Sequence, residues 1–192
     1  MTSSLSPKWH RHYLQLALLC ATMSKDPSTQ VGAVLVNPRT NAVISTGFNG
    51  LPRGLADTSV RLQDRDTKLA LVVHAELNAI LNAARNGSAP TQGAALYIVA
   101  QSATPSTAPA PPWGGPPCVR CTVHVINAGI TQIVSYPRKA VPSRWAADLD
   151  QAQAQALLHE AGVTYTEVSE HVELSAWHRA IGPRLYNRYC TH

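Results

Sequence analysis

The sequence predicts an α/β fold in which five strands form one sheet with helices on both faces. Three observations support this prediction. Short runs rich in β-branched residues alternate with longer segments of helical periodicity. The first two runs are separated by the turn-forming sequence 37–41, which predicts a hairpin. After the hairpin, helices and strands alternate, and this order favours a mostly parallel sheet between layers of helices.

The N-terminal half is predicted to hold two helices and the hairpin. Apolar residues recur at helical spacing from Trp9 to Cys20 and indicate the first helix. Gly87 is typical of the residue that follows a last helical turn. The elements of this half are therefore a helix at 7–23, strands at 31–36 and 43–48, a polar loop at 50–65 and a helix from 74 to 87.

The C-terminal half repeats a strand-and-helix pattern. Gly129 and Gly162 each follow a helical segment and indicate where it ends. The last segment contains Gly182-Pro183 and must bend there. The predicted elements are strands at 96–99, 132–136 and 163–168, helices at 118–128 and 145–161, and a helical segment at 174–189.

The 192 residues are predicted to form a single domain over 1–192. It carries a Pro/Ala-rich insertion at about 102–115 and a C-terminal extension from about 169. The insertion is either a tolerated surface loop or a lid or inter-subunit contact anchored by Trp113. No apolar run could span a bilayer and the first residues lack a signal peptide's apolar core, so we expect a cytoplasmic protein without a membrane partner.

The net charge of +5 and the pI of about 9.2 allow an anionic partner. The basic residues are scattered along the chain, with no run of lysines or arginines. This distribution favours a small anionic substrate and argues against an extended nucleic-acid partner.

The most informative motif consists of two separated segments, His74-Ala75-Glu76 and Pro117-Cys118-Val119-Arg120-Cys121. Together they form H-x-E…P-C-x-x-C, the known signature of zinc deaminases. His74, Cys118 and Cys121 supply the three ligands of a catalytic zinc, whose fourth position holds a water that ionises near neutral pH. Glu76 is predicted to point away from the ligands and to act as the proton shuttle.

A structural role for this motif, without catalysis, is the competing interpretation. A C-x-x-C pair also occurs in structural zinc sites, where His124 would be the nearby fourth ligand. The fold would then be a non-catalytic, zinc-stabilised assembly module. Glu76 argues against this interpretation, because a structural zinc site needs no adjacent acid.

Further segments carry a family likeness over about residues 9–168. On these segments and the zinc motif, the chain resembles the deoxycytidylate (dCMP) deaminases of the cytidine deaminase superfamily. The segments are Ser24-Lys25-Asp26-Pro27-Ser28, Val31-Gly32-Ala33-Val34, Gly47-Phe48-Asn49-Gly50-Leu51-Pro52-Arg53-Gly54, Asp66-Thr67-Lys68, Val73-His74-Ala75-Glu76-Leu77-Asn78-Ala79-Ile80 and Ala128-Gly129-Ile130.

The resemblance implies a three-layer α/β/α sandwich with a five-stranded mixed sheet and one Zn²⁺ per chain. It implies hydrolysis of dCMP to dUMP and ammonia, which supplies dUMP for thymidylate synthesis. It also implies a homo-oligomer, a hexamer or a dimer. A further expectation is regulation by dCTP and dTTP with Mg²⁺, at an effector site formed by Gly47, Phe48, Gly50 and Arg53.

The resemblance also implies the substrate contacts. Asn49 is expected to bond the sugar 3′-hydroxyl, and Ala75 and Pro117 to line the substrate pocket. The phosphate needs cations or donors, and the loop that holds Ser24, Lys25 and Ser28 is the preferred candidate. The remaining phosphate candidates are Arg53, Lys68 and Arg120.

The chain departs from the family pattern in two places. Phe48 stands where the family usually has tyrosine, and the connection before Pro117 carries the Pro/Ala-rich insertion. A modified cytosine nucleotide is therefore an alternative substrate. A nucleoside, a riboflavin precursor and tRNA adenosine are also candidate substrates within the superfamily, although a tRNA enzyme should show a clustered basic face.

Overall fold

The computed structural model describes residues 5–87, 89–103, 111–138 and 147–169. The predicted segment 174–189 and residues 104–110 of the Pro/Ala-rich insertion lie outside these ranges. The elements are α1 (Pro7–Ala21), β1 (Thr29–Asn37), β2 (Ala42–Phe48), α2 (Ser59–Gln63), α3 (Arg65–Leu71), α4 (Ala75–Arg85), β3 (Ala95–Ser102), α5 (Val119–Asn127), β4 (Gln132–Ser135), α6 (Ala147–Glu160) and β5 (Thr164–Glu167).

The five strands form one mixed sheet in the order β2-β1-β3-β4-β5. Strand β1 is antiparallel to both β2 and β3, whereas β3, β4 and β5 are parallel. The mixed sheet is confirmed, but the expectation of a mostly parallel one is wrong, because half of the pairings are antiparallel. The reason is the crossover from β2 through α4, which passes over β1. It makes β3 parallel to β2 and therefore antiparallel to the strand between them.

Helices cover both faces of the sheet. On one face α1 packs through Tyr13, Leu14 and Ala17 against apolar residues of β1, β3 and β4. On the other face, apolar residues of α4, α5 and α6 form a second core with the opposite side of the strands. These two cores confirm the α/β/α sandwich. Within the described ranges, no helix is both long and apolar enough to cross a membrane.

The region predicted as a polar loop over 50–65 contains α2 and the start of α3, so that prediction is wrong. Both helices have side-chain caps. The Thr58 hydroxyl accepts from the Arg61 N–H at 3.4 Å, and the Asp64 carboxylate accepts from the Thr67 N–H at 2.8 Å. Neither helix buries a residue, so the sequence lacks the apolar periodicity by which a helix is usually recognised.

Two backbone hydrogen bonds close the base of the helical excursion, the segment 50–73 that contains α2 and α3. The Gly50 N–H donates to the Val73 carbonyl at 3.1 Å, and the Val73 N–H donates back at 2.9 Å. The helical excursion therefore begins after Asn49 and ends immediately before His74. Asn49 and His74, which are 25 positions apart in the sequence, are thereby held at the same edge of the sheet.

Candidate metal centre and active site

Three side chains predicted as metal ligands meet at the starts of α4 and α5. His74 is the N-cap of α4, Cys118 is the N-cap of α5, and Cys121 lies in its first turn. The His74 Nδ1 atom lies 3.5 Å from the Cys118 sulfur and 3.4 Å from the Cys121 sulfur. The three donor atoms all lie within 4.8 Å of one another.

This geometry fits a zinc ion. Tetrahedral Zn²⁺ with Zn–S bonds of about 2.3 Å and Zn–N bonds of about 2.0 Å places nitrogen and sulfur roughly 3.5 Å apart. His74 is exposed, Cys118 half-buried and Cys121 buried, so the cluster is accessible from the histidine side. His124 is not part of the cluster, so a structural site gains no fourth ligand among the described residues.

Within the metal-free cluster, the three ligand groups shift one another's pKa values. The hydrogen bond from Cys121 is the main cause that lowers the pKa of Cys118 to about 4. The hydrogen bond to Cys118 raises the pKa of His74 to about 9, although burial opposes this. The same sulfur–sulfur interaction and burial raise the pKa of Cys121. Zinc is bound by a neutral imidazole and by thiolates, so binding of the dication would release protons from the cluster.

Glu76 lies in the first turn of α4, two residues after the histidine ligand, and is 6% exposed. Burial raises the pKa of its carboxyl group, although the positive charge on His74 opposes the rise. A raised pKa makes a carboxyl group hold a proton more readily, which suits a group that must both accept and donate protons. The burial of Glu76 and its place after His74 are compatible with the predicted proton shuttle.

Asn49 is held in place through its amide group. Its Oδ1 accepts from the Val31 N–H at 2.7 Å, and its Nδ2 donates to the Thr29 carbonyl at 2.9 Å. These bonds fix the end of β2 to the start of β1. One amide proton remains for a further acceptor. The predicted pocket residues are both buried: Ala75 follows His74 in the chain, and Pro117 precedes Cys118.

The predicted phosphate loop 24–28 is organised by Asp26, a residue to which the sequence motifs gave no role. The Asp26 Oδ1 accepts from the Ser28 N–H and hydroxyl, both at 2.8 Å, and from the Thr29 N–H at 3.1 Å. The same oxygen pairs with Lys68 Nζ at 3.2 Å, and Lys68 also donates to the Ser28 hydroxyl at 2.9 Å. The Asp-Pro-Ser sequence, which is typical of a side-chain-stabilised turn, was the available signal.

The cationic side chains that were predicted to bind the phosphate have different partners in the structure. Lys68 is brought to Ser28, whereas Lys25 pairs with Asp57 at 2.9 Å on the surface. Arg53 donates to the Asn82 amide oxygen at 2.9 Å, on the face of α4 that borders β2. Arg120 is exposed in the first turn of α5.

Residues 7–136 match the family described as the cytidine and deoxycytidylate deaminase zinc-binding region. The chain belongs to this family. It is 34% identical to human deoxycytidylate deaminase, over 82% of this chain and 78% of the human one. An uncharacterised deaminase of Aliivibrio fischeri is 33% identical, over 83% of this chain and 92% of that protein.

The solved structure of dCMP deaminase from cyanophage S-TIM5 has the same fold. Its apo form aligns with a TM-score of 0.59 at 19% identity, over 85% of this chain and 100% of the phage chain. A second structure of the phage enzyme, in complex with dCMP and dUMP, aligns with the same TM-score. The resemblance inferred from the sequence motifs is thus confirmed at the level of family and fold.

In this deaminase, the segment predicted to bind an effector lies at the end of β2. A Cβ atom on Gly47 would collide with the backbone of α4 at Ala75 and Ala79, so glycine allows the helix to pack directly on the strand. Gly50 helps to close the helical excursion through Val73. Phe48 is 40% exposed and leaves an aromatic face accessible to solvent.

Proposed function

We propose that this deaminase hydrolyses dCMP to dUMP and ammonia with one zinc per chain, and so supplies dUMP for thymidylate synthesis. The observation that carries the proposal is the His74, Cys118 and Cys121 cluster beside the buried acid Glu76. The deoxycytidylate deaminases among its relatives support dCMP as the substrate. When bound, zinc supplies a water of lowered pKa as the attacking nucleophile at C4 of the base.

The residues of this chain divide the remaining work. The His74 imidazole and the two cysteine sulfurs would hold the zinc, and the two thiolates would balance its charge. Glu76 would accept one proton of the attacking water and deliver it to ring nitrogen N3. It would then accept the second proton, from the hydroxyl now bonded to C4, and deliver it to the amine, which leaves as ammonia. Its burial removes competing water and keeps its proton affinity high enough for the second transfer.

Substrate positioning is proposed for the surrounding loops. The free amide proton of Asn49 is suited to the sugar 3′-hydroxyl, while Ala75 and Pro117 line the base pocket. The phosphate is assigned to Ser24, Lys25 and Ser28. Ser28 is supported by its contact with the Lys68 ammonium group, whose charge is shared with the Asp26 carboxylate of the same loop.

Regulation, assembly and location are proposed from the family likeness. We expect dCTP and dTTP with Mg²⁺ to bind at Gly47, Phe48, Gly50 and Arg53, and we expect a homo-oligomer, a hexamer or a dimer, in the cytoplasm. The alternative substrates remain a modified cytosine nucleotide, a nucleoside or tRNA adenosine. A non-catalytic assembly module is disfavoured, because a buried acid beside the ligands costs stability without serving a structural zinc.

The test compares Glu76→Gln with Glu160→Gln, a matched change at an exposed position at the end of α6. We expect Glu76→Gln to retain zinc but to lose about 10²–10⁴-fold in kcat, because general acid–base catalysis typically contributes that much. Glu160→Gln should resemble the wild type. Near wild-type turnover by zinc-loaded Glu76→Gln would refute the mechanism.

The substrate class is tested separately with the wild-type enzyme. Ammonia release is measured with dCMP, deoxycytidine, 5-methyl-dCMP and CMP under the same conditions. We expect kcat/KM to be highest for dCMP. Equal values for dCMP and deoxycytidine would show that the phosphate is not recognised and that the enzyme is a nucleoside deaminase.

A further inference from the structure

The connection that leads from β3 to the cysteine motif is tied to two strands by its last residues, Trp113–Gly115. Trp113 exchanges two backbone hydrogen bonds with Ala100 of β3, donating at 2.9 Å and accepting at 2.7 Å. The Gly114 N–H donates to the Pro137 carbonyl just beyond β4 at 3.1 Å. The Trp113–Gly115 segment is therefore inserted between the carboxyl ends of β3 and β4.

A buried hydroxyl holds the end of this segment. Ser135, the last residue of β4, is fully buried, and its Oγ accepts from the Gly115 N–H at 3.1 Å. The same hydroxyl lies 2.9 Å from both the Tyr136 carbonyl and the Tyr165 hydroxyl, and it can donate its single proton to one of them at a time. When it donates to Tyr165, the Tyr165 hydroxyl donates in turn to the Glu167 carboxylate at 3.0 Å. A chain of hydrogen bonds thus runs from β5 to the backbone before the zinc motif.

The Trp113–Gly115 segment packs tightly against β4. A Cβ atom on Gly114 would lie 2.7 Å from both the Ser135 Cβ and the Tyr136 carbonyl oxygen. Gly115 has a φ of +119°, a conformation that favours glycine. The backbone of Gly114 packs directly against β4, so a displacement at Ser135 also moves Gly115 and the residues after it. Cys118 is only three positions beyond Gly115.

We propose that Ser135 is a positioning residue for the metal centre, which it serves by fixing Gly115 and so orienting both cysteine ligands. The proposal rests on the proposed zinc function. Gly115 is buried, so removal of the Ser135 hydroxyl leaves the Gly115 N–H without its partner. A buried unpaired donor is costly, and the segment relieves that cost by shifting. The shift weakens the hold on zinc without touching the ligands.

The experiment measures release of zinc to a chelator from full-length wild type, Ser135→Ala and Tyr165→Phe. Tyr165→Phe is the matched control, because it removes a hydroxyl from the same network but leaves the bond from Gly115 to Ser135. We expect release from Ser135→Ala to be about 10-fold faster, as for residues that orient metal ligands from outside the coordination shell. Release from Tyr165→Phe should stay close to the wild-type rate.

A spectroscopic readout separates positioning from general stability. The thiolate absorption bands of the Co²⁺-substituted protein should shift in Ser135→Ala and not in Tyr165→Phe. Equal release from Ser135→Ala and wild type, or equal acceleration in both hydroxyl-deletion variants, would overturn the proposal. A wild-type protein that binds no zinc would instead refute the proposed function.

Discussion

The pair formed by Asp26 and Lys68 offers the sharpest test of how the site is held together. Asp26→Asn keeps the shape and the acceptor oxygen but removes the negative charge. The side chains of Asp26 and Lys68 are 9% and 14% exposed, so water can replace little of the lost attraction. Hydrogen bonds to charged groups contribute about 1.5–3 kcal/mol against about 1 kcal/mol for neutral ones. The backbone bonds from Ser28 and Thr29 persist in weaker form.

The expected loss of unfolding free energy is about 2–3 kcal/mol, because a partly buried lysine also loses its partner. For a chain of this size, that loss corresponds to a decrease of about 4–12 °C in Tm. Asp57→Asn is the internal control, since it breaks a pair of similar length whose side chains are 68% and 34% exposed. Exposed pairs contribute about 0–1 kcal/mol, so this variant should lose less than half as much.

The pH dependence gives a second check on the same carboxylate. Burial opposes ionisation of Asp26, but hydrogen bonds from Ser28, Thr29 and Lys68 outweigh it, so its pKa lies below the usual value of 3.8. A lowered pKa stabilises the fold at pH values above the unfolded-state pKa, and this contribution is lost as pH falls through the folded-state pKa. The stability gap between wild type and Asp26→Asn should therefore be constant near neutral pH and narrow below about pH 4.

The assay is urea-induced unfolding of wild type, Asp26→Asn and Asp57→Asn at several pH values, followed by kinetics on dCMP. Because Asp26 organises the loop that holds Ser28, we also expect KM for dCMP to rise while kcat changes little. A cost of Asp26→Asn no larger than that of Asp57→Asn would refute the role of the buried pair. A stability gap of the same size at acid and neutral pH would refute the lowered pKa.

Three further outcomes are expected. Elemental analysis should find about one zinc per wild-type chain and much less in Cys118→Ala or Cys121→Ala. Full zinc occupancy in either variant would contradict the ligand set. Gly47→Ala should destabilise the fold by about 1–3 kcal/mol through collision with α4, whereas Gly50→Ala, which meets only the Phe48 ring at 4.0 Å, should be nearly neutral in thermal unfolding. Phe48→Tyr should tighten dCTP binding by about 0.5–1.5 kcal/mol in titration calorimetry, and unchanged binding would separate this residue from any effector site.

The metal centre could be predicted from the sequence because its determinants are local. Each ligand group lies at the start of a helix, and the proline before Cys118 marks where α5 begins. The alternation of strands and helices then places both helix starts at one edge of the sheet, where ligand sites of open α/β folds lie. Local spacing together with element order was therefore sufficient to bring His74 and the two cysteines into one cluster.

Contacts between distant segments could not be predicted in the same way. Lys68 reaches Asp26 across 42 positions, and Ser135 reaches Gly115 across 20, with no pattern in the sequence that links either pair. The helices α2 and α3 were missed because their residues are exposed and lack apolar periodicity. The antiparallel pairing of β1 with β3 depends on a crossover that skips a strand, which element order alone does not reveal.

The Gly47–Gly50 segment shows how structural demands can imitate a regulatory motif. Gly47 is required for contact with α4, Asn49 clamps the start of β1, and Gly50 closes the helical excursion before His74. Each of these residues serves the geometry of the active site even without an effector. Phe48 is 40% exposed and belongs to neither apolar core of the described residues, so a regulatory function at this segment depends on that aromatic face. Regulation must therefore be tested at Phe48, since changes at Gly47 or Asn49 would disturb the packing of α4 or the start of β1 whether or not a nucleotide effector binds.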